Sequence, residues 1–302
     1  MTHHDSNFDP VKELAVLSAT RTGAFSEPNT SLFRYVGMRD ARAWEFLEYT
    51  VLQHKIPLTT SVSFNDPFDS NPVVVSDISF EEIGKALDGL PFNSPILSMS
   101  GKVVDEAGQP ISNADLEKRV VDLLSESFVR MNSPRVASFC RRISSQLLWA
   151  HYANSYRGLA YHFVTSGSPE SSLTTLVRPV KYERQRPIIL VSEILDILHQ
   201  VGKETPGTLY QLRASFERKA YLTKSIEWAY EEEERLLLKD SEARFEPHEL
   251  AAIIVGPHFS DDHFARLKAI IAKRSRRLRI YRARLADSDY AIEIDWANPF
   301  SA

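Results

Sequence analysis

Glycine is scarce in this chain, 11 residues in 302, and that scarcity narrows the architectures open to it. Folds that cradle phosphates on glycine-rich loops need glycine wherever backbone approaches a ligand closely or turns at positive φ. A typical chain carries about 7% glycine. Neither G-x-x-x-x-G-K-[ST] nor G-x-G-x-x-G occurs, so a P-loop or Rossmann site has no support. H-E-x-x-H and G-x-S-x-G are also absent. The single cysteine, Cys140, excludes an intramolecular disulfide and any multi-cysteine zinc site. The densest histidine group is His248, His258 and His263, with Asp261 and Asp262 nearby. It follows no recurring ligand spacing, so no metal is expected.

Hydrophobic residues make up 43% of the chain and charged residues 25%, with a net charge of -4, the balance of an ordinary soluble globule. The segment Met-Thr-His-His-Asp lacks the basic and apolar regions of a signal peptide. The most apolar stretch, 187–198, is broken by Ser192, Glu193 and Asp196 and falls short of the ~20 residues needed to cross a bilayer. A cytoplasmic protein that does not engage membranes is the expectation.

Hydrophobic periodicity predicts a mixed α+β fold: a mostly antiparallel central sheet, flanking helices and an inserted helical segment. Asp9-Pro10 predicts a helix to about Ala19, and residues 20–31 a loop, so 1–31 stand apart from a single domain over 32–302. Within that domain 91–112 looks like an irregular excursion, and 186–222 like a helical insert. Strands are predicted at 32–36, 58–63, 135–140, 158–163, 177–182, 228–238, 250–255, 278–285 and 290–295. Helices are predicted from Asp40, from the Ser79/Glu82 capping box to about Leu90, and at 113–131, 144–153, 188–201, 207–222 and after Ser260.

Several groups place unlike polar residues beside aromatics, the mixture that lines binding pockets. Phe33-Arg34-Tyr35 sets a cation between two rings. Phe64-Asn65-Asp66-Pro67-Phe68-Asp69 packs two carboxylates and an amide into a turn. Trp149-Ala150-His151-Tyr152 ends a helix, and Tyr156-Arg157-Gly158 leads into a strand. Lys224, Trp228 and Tyr230 precede Glu231-Glu232-Glu233-Glu234-Arg235. Each group also has a structural reading. Asn65-Asp66-Pro67 suits an Asx turn, Trp149 and Tyr152 a core face, His151 a helix cap, and Glu231 to Glu234 a solvated charge run.

The boxes F-N-D-P-F-D (64–69), L-W-A-H-Y-A with R-G (148–153, 157–158) and K-x-x-x-W-x-Y-E-x-E-x-R (224–235) occur in this order. Together they resemble a bacterial family catalogued as a domain of unknown function (DUF twenty-nine seventy-one). The resemblance spans about Leu32 to Val255, with Ser155-Tyr156 standing where that family is more often basic. The family name implies no activity. The order of an arginine on an early strand, a serine on a middle strand and glutamates near a late strand is similar to the ADP-ribosyltransferase layout. That resemblance implies NAD as the bound nucleotide, with Arg34 on its phosphates or ribose and Ser138 in the nicotinamide pocket. It further implies that Glu233 binds a ribose hydroxyl and stabilises the cationic sugar, while Glu231 orients the nucleophile. Tyr35, Asn65, Asp66, Asp69, Trp149, Tyr152, Arg157, Tyr230 and Arg235 would line the pocket. The implied protein is a nucleotide-handling transferase, in the setting of a bacterial toxin or phage-defence effector. Two alternatives stay open: a non-catalytic module that senses a nucleotide or nucleic acid, and a metal-independent nuclease using His151.

Charge is unevenly spread. Between Phe264 and Leu285 lie nine basic residues and no acid: Arg266, Lys268, Lys273, Arg274, Arg276, Arg277, Arg279, Arg282 and Arg284. This stripe reads either as an edge strand guarded by charge or as the docking surface for a nucleic-acid or protein acceptor.

Overall fold

The computed structural model describes residues 30–88, 112–126, 133–200 and 206–300. The helix expected at 9–19, nearly all of the loop 20–31 and of the excursion 91–112, and the end of the helix expected to 131 lie outside the described residues. Two compact units emerge, one within Met1–Thr60, Pro134–Val180 and Glu227–Ala302, the other within Ser61–Ser133 and Lys181–Ile226.

In chain order, strand β1 (Ser31–Val36) is followed by helix α1 (Ala41–Gln53), β2 (Lys55–Pro57) and β3 (Thr59–Thr60). Next come β4 (Val73–Val75), α2 (Phe80–Asp88), α3 (Asn113–Leu124), β5 (Arg135–Cys140), α4 (Gln146–Tyr152) and β6 (Leu159–Val164). After them run α5 (Ser172–Thr175), β7 (Val177–Pro179), β8 (Lys181–Glu183), β9 (Ile188–Leu190), α6 (Val191–Gln200), α7 (Pro206–Tyr221) and β10 (Thr223–Ser225). The chain then forms β11 (Glu233–Leu238), β12 (Glu242–Arg244), β13 (Leu250–Val255), α8 (Asp261–Ile271), β14 (Arg279–Leu285) and β15 (Ile292–Ile294).

The first unit is built on a nine-stranded sheet ordered β15-β14-β13-β6-β1-β5-β11-β7, with β3 also on β5. Only β13 and β14 pair in parallel; every other neighbour is antiparallel. This is the expected α+β class. Side chains alternate across the pleat, so β1 sends Leu32, Arg34 and Val36 to one face and Phe33 and Tyr35 to the other. The first face carries the larger core. There Trp44, Leu47 and Val51 of α1 and Leu267, Ile270 and Ile271 of α8 cover Leu32, Phe139, Tyr161 and Ile253. The opposite face holds a smaller core of Phe33, Cys140, Ala160 and Ile254 beneath Leu148, Trp149 and Ala153.

The helices start where capping chemistry predicts. Asp40 accepts from Ala43 N at 2.9 Å, Ser145 caps α4, and Ser260 caps α8. In the second unit the capping box is reciprocal: Ser79 N donates to Glu82 at 2.8 Å, and Glu82 N to Ser79 Oγ at 3.3 Å. That unit buries Ile83, Leu116, Val120, Leu124, Ile189, Ile194 and Ile197, and contains the parallel pairs β4–β9 and β8–β10.

Four expected elements depart from the sequence reading, one of them the strand at 177–182, which divides into β7 paired with β11 and β8 paired with β10. The strand expected at 58–63 stops at Thr60 and becomes a 3-10 turn (Ser61–Ser63). Val62 is 70% exposed, and β-branched residues favour a strand only where they have a surface to pack on. The helix expected from 188 begins at Val191, because Ile188–Leu190 pairs with Val73–Val75. The strand expected from Trp228 starts at Glu233, after a 3-10 segment (Ile226–Glu231) and a left-handed Glu232 at φ 47°.

Candidate functional site

Register decides which polar residues of the first unit can meet. Phe33 pairs with Cys140, and Glu233 also pairs with Cys140. Directly opposed residues share a face, so Phe33, Tyr35, Ser138, Cys140, Glu233 and Arg235 all lie on the α4 side of the sheet. Arg34 lies on the other side, against Phe139 at 5.9 Å, with Tyr161 as its cross-strand partner on β6. The arginine, serine and glutamate of the transferase layout therefore do not converge, since Arg34 is separated from Ser138 and Glu233 by the sheet itself.

What does assemble is a polar row on the α4 face of β5, β11 and β7. Ser138 is exposed and stands opposite Arg235, which stands opposite Arg178. The Arg235 guanidinium, 1% exposed, donates to both oxygens of Glu233, from Nε at 2.7 Å and from Nη2 at 3.0 Å. One step back along the chain, the Tyr152 hydroxyl donates to Glu231 at 2.7 Å. Both carboxylates are buried, at 3% and 5% exposure, so this part of the acidic run is internal rather than a solvated face. Tyr35, Tyr152 and Tyr230 pack around the same small core. Cys140 sits beneath them with its thiol pushed up to about 12, chiefly by burial and further by Glu231, Glu232 and Glu233, which keeps it protonated and unreactive.

The remaining residues expected in the pocket take other positions. Trp149 is wholly buried and donates from Nε1 to the Ile143 carbonyl at 2.8 Å, so its ring is core. The Tyr35 hydroxyl shares its proton between the carbonyls of Arg142 (3.0 Å) and Ile143 (2.8 Å). It anchors the loop after β5, and burial raises its pKa. His151 and Arg157 are exposed. Asn65, Asp66 and Asp69 belong to the second unit. There Asp66 accepts from Phe68 N at 2.9 Å, the geometry of an Asx turn, and Asp69 pairs with Lys224 at 3.6 Å with both side chains buried.

Sequence reasoning missed two features. Arg178 carried no signal, because its relation to Arg235 depends on the β7–β11 register. The other is the turn after α4, where Asn154, Ser155 and Tyr156 hold φ of 49°, 52° and 67° in succession. Left-handed backbone costs a non-glycine residue roughly 1–2 kcal/mol. A lattice of backbone bonds offsets the strain: Ser155 N to Ala150 O, Tyr156 N to Trp149 O, Gly158 N to Ala153 O and His258 N to Tyr156 O. Gly158 and Gly256 let the strands close on this turn, since a Cβ on Gly256 would overlap the Tyr156 carbonyl oxygen.

The basic stripe divides into two populations. Arg266 lies over Trp44 at 4.4 Å, Lys268 over Phe264 at 6.0 Å, Arg274 donates to Val51 O and Pro247 O, Arg282 donates to Phe259 O, and Arg284 pairs with Glu293. Lys273, Arg276, Arg277 and Arg279 are exposed around the end of α8 and the start of β14. Among the described residues, no group of three or more His, Cys, Asp or Glu could hold a metal ion. Among them also, no helix is long and apolar enough to cross a membrane. Comparison with protein-family models, with curated proteins and with solved structures returned no match.

Proposed function

We propose that the chain is a nucleotide-handling protein whose recognition surface is the α4 face of β5, β11 and β7. The observation that carries this reading is the cross-strand row Arg178–Arg235–Ser138 beside the buried carboxylates Glu231 and Glu233. Arg178 and Arg235 face each other across neighbouring strands, which concentrates two guanidinium groups at one place on this face. A phosphate is the ligand group that planar guanidinium forks recognise best. The buried carboxylates Glu231 and Glu233, bonded to Tyr152 and Arg235, fix the geometry of the row, and the neighbouring tyrosines offer an aromatic wall. The separation of Arg34 from this face favours a binding module over an assembled transferase.

The test is titration of the full chain with AMP, ATP and NAD, followed by calorimetry. Saturable binding that weakens about ten-fold or more in Arg178→Ala, the loss expected for one charge-assisted contact, supports the reading. Binding by none of the three, or binding untouched in both Arg178→Ala and Glu231→Gln, overturns it. ADP-ribosyl transfer from NAD is the second reading, favoured by Ser138 and Glu233 sharing one face. Its measurement is nicotinamide release in the presence of protein and nucleic-acid acceptors, and no release rejects it. The exposed cations at 273–279 are the proposed contact for a polyanionic acceptor.

A further inference from the structure

On the face of the sheet covered by α1 and α8, Arg34 is a cation with no counter-charge among the described residues. Its Nη2 donates to the Pro57 carbonyl at 3.0 Å. Its Nη1 is buried and has no hydrogen-bond partner, the only such side-chain atom among the described residues. No carboxylate pairs with this guanidinium among the described residues. Its near neighbours are the Phe139 ring and Tyr161, whose hydroxyl is hydrogen-bonded to Thr50. Burial drives the Arg34 pKa down to about 10, against a smaller raising effect from Tyr161, which still leaves the group charged at neutral pH.

A buried charge is retained at a cost of several kcal/mol unless something pairs with it, and a buried N–H left without an acceptor costs about 1–3 kcal/mol more. The other buried cations are matched: Arg235 has Glu233, and Lys224 has Asp69. Among the described residues Arg34 alone leaves a buried nitrogen without an acceptor, although the residue as a whole is only half-buried.

We propose that Arg34 is the anchor of an oxyanion-binding site on this face, taking a phosphate or carboxylate group through Nη1. The site stands on the opposite side of the sheet from the Ser138–Arg235 row and does not depend on the nucleotide reading.

The experiment is thermal unfolding of the full chain in sodium phosphate, sodium acetate and AMP, each titrated at fixed ionic strength against chloride. Saturable rises in midpoint are expected with an oxyanion and not with chloride. Arg34→Met is expected to abolish the rise and, having lost an uncompensated charge, to unfold at a higher temperature than the parent in chloride. Arg34→Lys keeps the charge but loses the planar fork, and weakens the response by about ten-fold or more. Saturation by phosphate or AMP assigns a phosphate group; saturation by acetate alone assigns a carboxylate. No response beyond chloride, or a response that survives in Arg34→Met, overturns the proposal. Should Arg34→Met fail to fold, the same decision falls to Arg34→Lys, whose unaltered response would reject the site.

Discussion

At the scale of single residues, the buried Glu233–Arg235 pair and the strained turn at 154–156 have opposite consequences. Removing one partner of a buried ion pair leaves the other charge stranded, so Glu233→Gln and Arg235→Met should each cost about 3–5 kcal/mol. The double substitution should cost well under the sum, and urea unfolding of the four variants measures the coupling. Ser155 is exposed in the left-handed region, so Ser155→Gly should gain about 0.5–1 kcal/mol once glycine's unfolded-state entropy is set against the relieved strain. A loss at Ser155 would show instead that its side chain makes an energetic contribution. His162, stacked on Phe33 at 4.6 Å and bonded to Ser31 at 3.0 Å, has its pKa pushed down to about 4 by burial. The unfolded chain takes up this proton near 6.5 and the folded one only near 4. Stability should therefore be full above about 6.5 and fall as pH drops toward 4, and His162→Gln should flatten that part of the urea-midpoint profile.

At the scale of elements, two glycines test how tightly the frame is closed. Gly84 lies within α2, and a methyl group there would meet nothing within 4 Å, so Gly84→Ala should stabilise that helix by about 0.5–1 kcal/mol. Gly256 ends β13 against the Tyr156 carbonyl, so Gly256→Ala should destabilise by about 1–3 kcal/mol or more and speed amide exchange in the 154–158 turn. Element identity was largely legible in the chain. Asp40, Ser79 and Ser260 marked helix starts through local hydrogen bonds, β13 stood out as an apolar run, and β1, β5 and β14 as short stretches mixing apolar and polar residues. The sequence reading failed where packing decides, at Val62, which has no surface to pair on, and at Ile188–Ile189, which pair with Val73–Val74.

At the scale of the molecule, charge is segregated: a net -4 combines nine cations in one 22-residue window with -13 elsewhere. Lys273, Arg276, Arg277 and Arg279 remain as an exposed group clear of the contacts that hold Arg266, Lys268, Arg274, Arg282 and Arg284. If a nucleic acid is the partner, its log affinity should fall with log salt at a slope no steeper than about -4, since each phosphate contact contributes roughly -0.7 to -0.9. A flat salt dependence would remove the partner reading. A slope near -8 would mean that the structurally bonded arginines also let go.

The α+β class, the cap-defined helix starts and the pool of chemically capable residues follow from local propensity and periodicity, so the linear chain already contains them. Which of those residues meet is a different kind of property. Arg34, Ser138 and Glu233 read as one constellation in order along the chain, yet pleat alternation and the Phe33–Cys140 and Glu233–Cys140 pairings put Arg34 on the far face. The same register buried Glu233 against Arg235 and set Arg178 opposite, leaving Arg34 with one nitrogen unbonded among the described residues. Strand pairing is long-range, and a shift of one residue exchanges the two faces of a sheet. No local signal carries that choice; it exists only once the strands have paired.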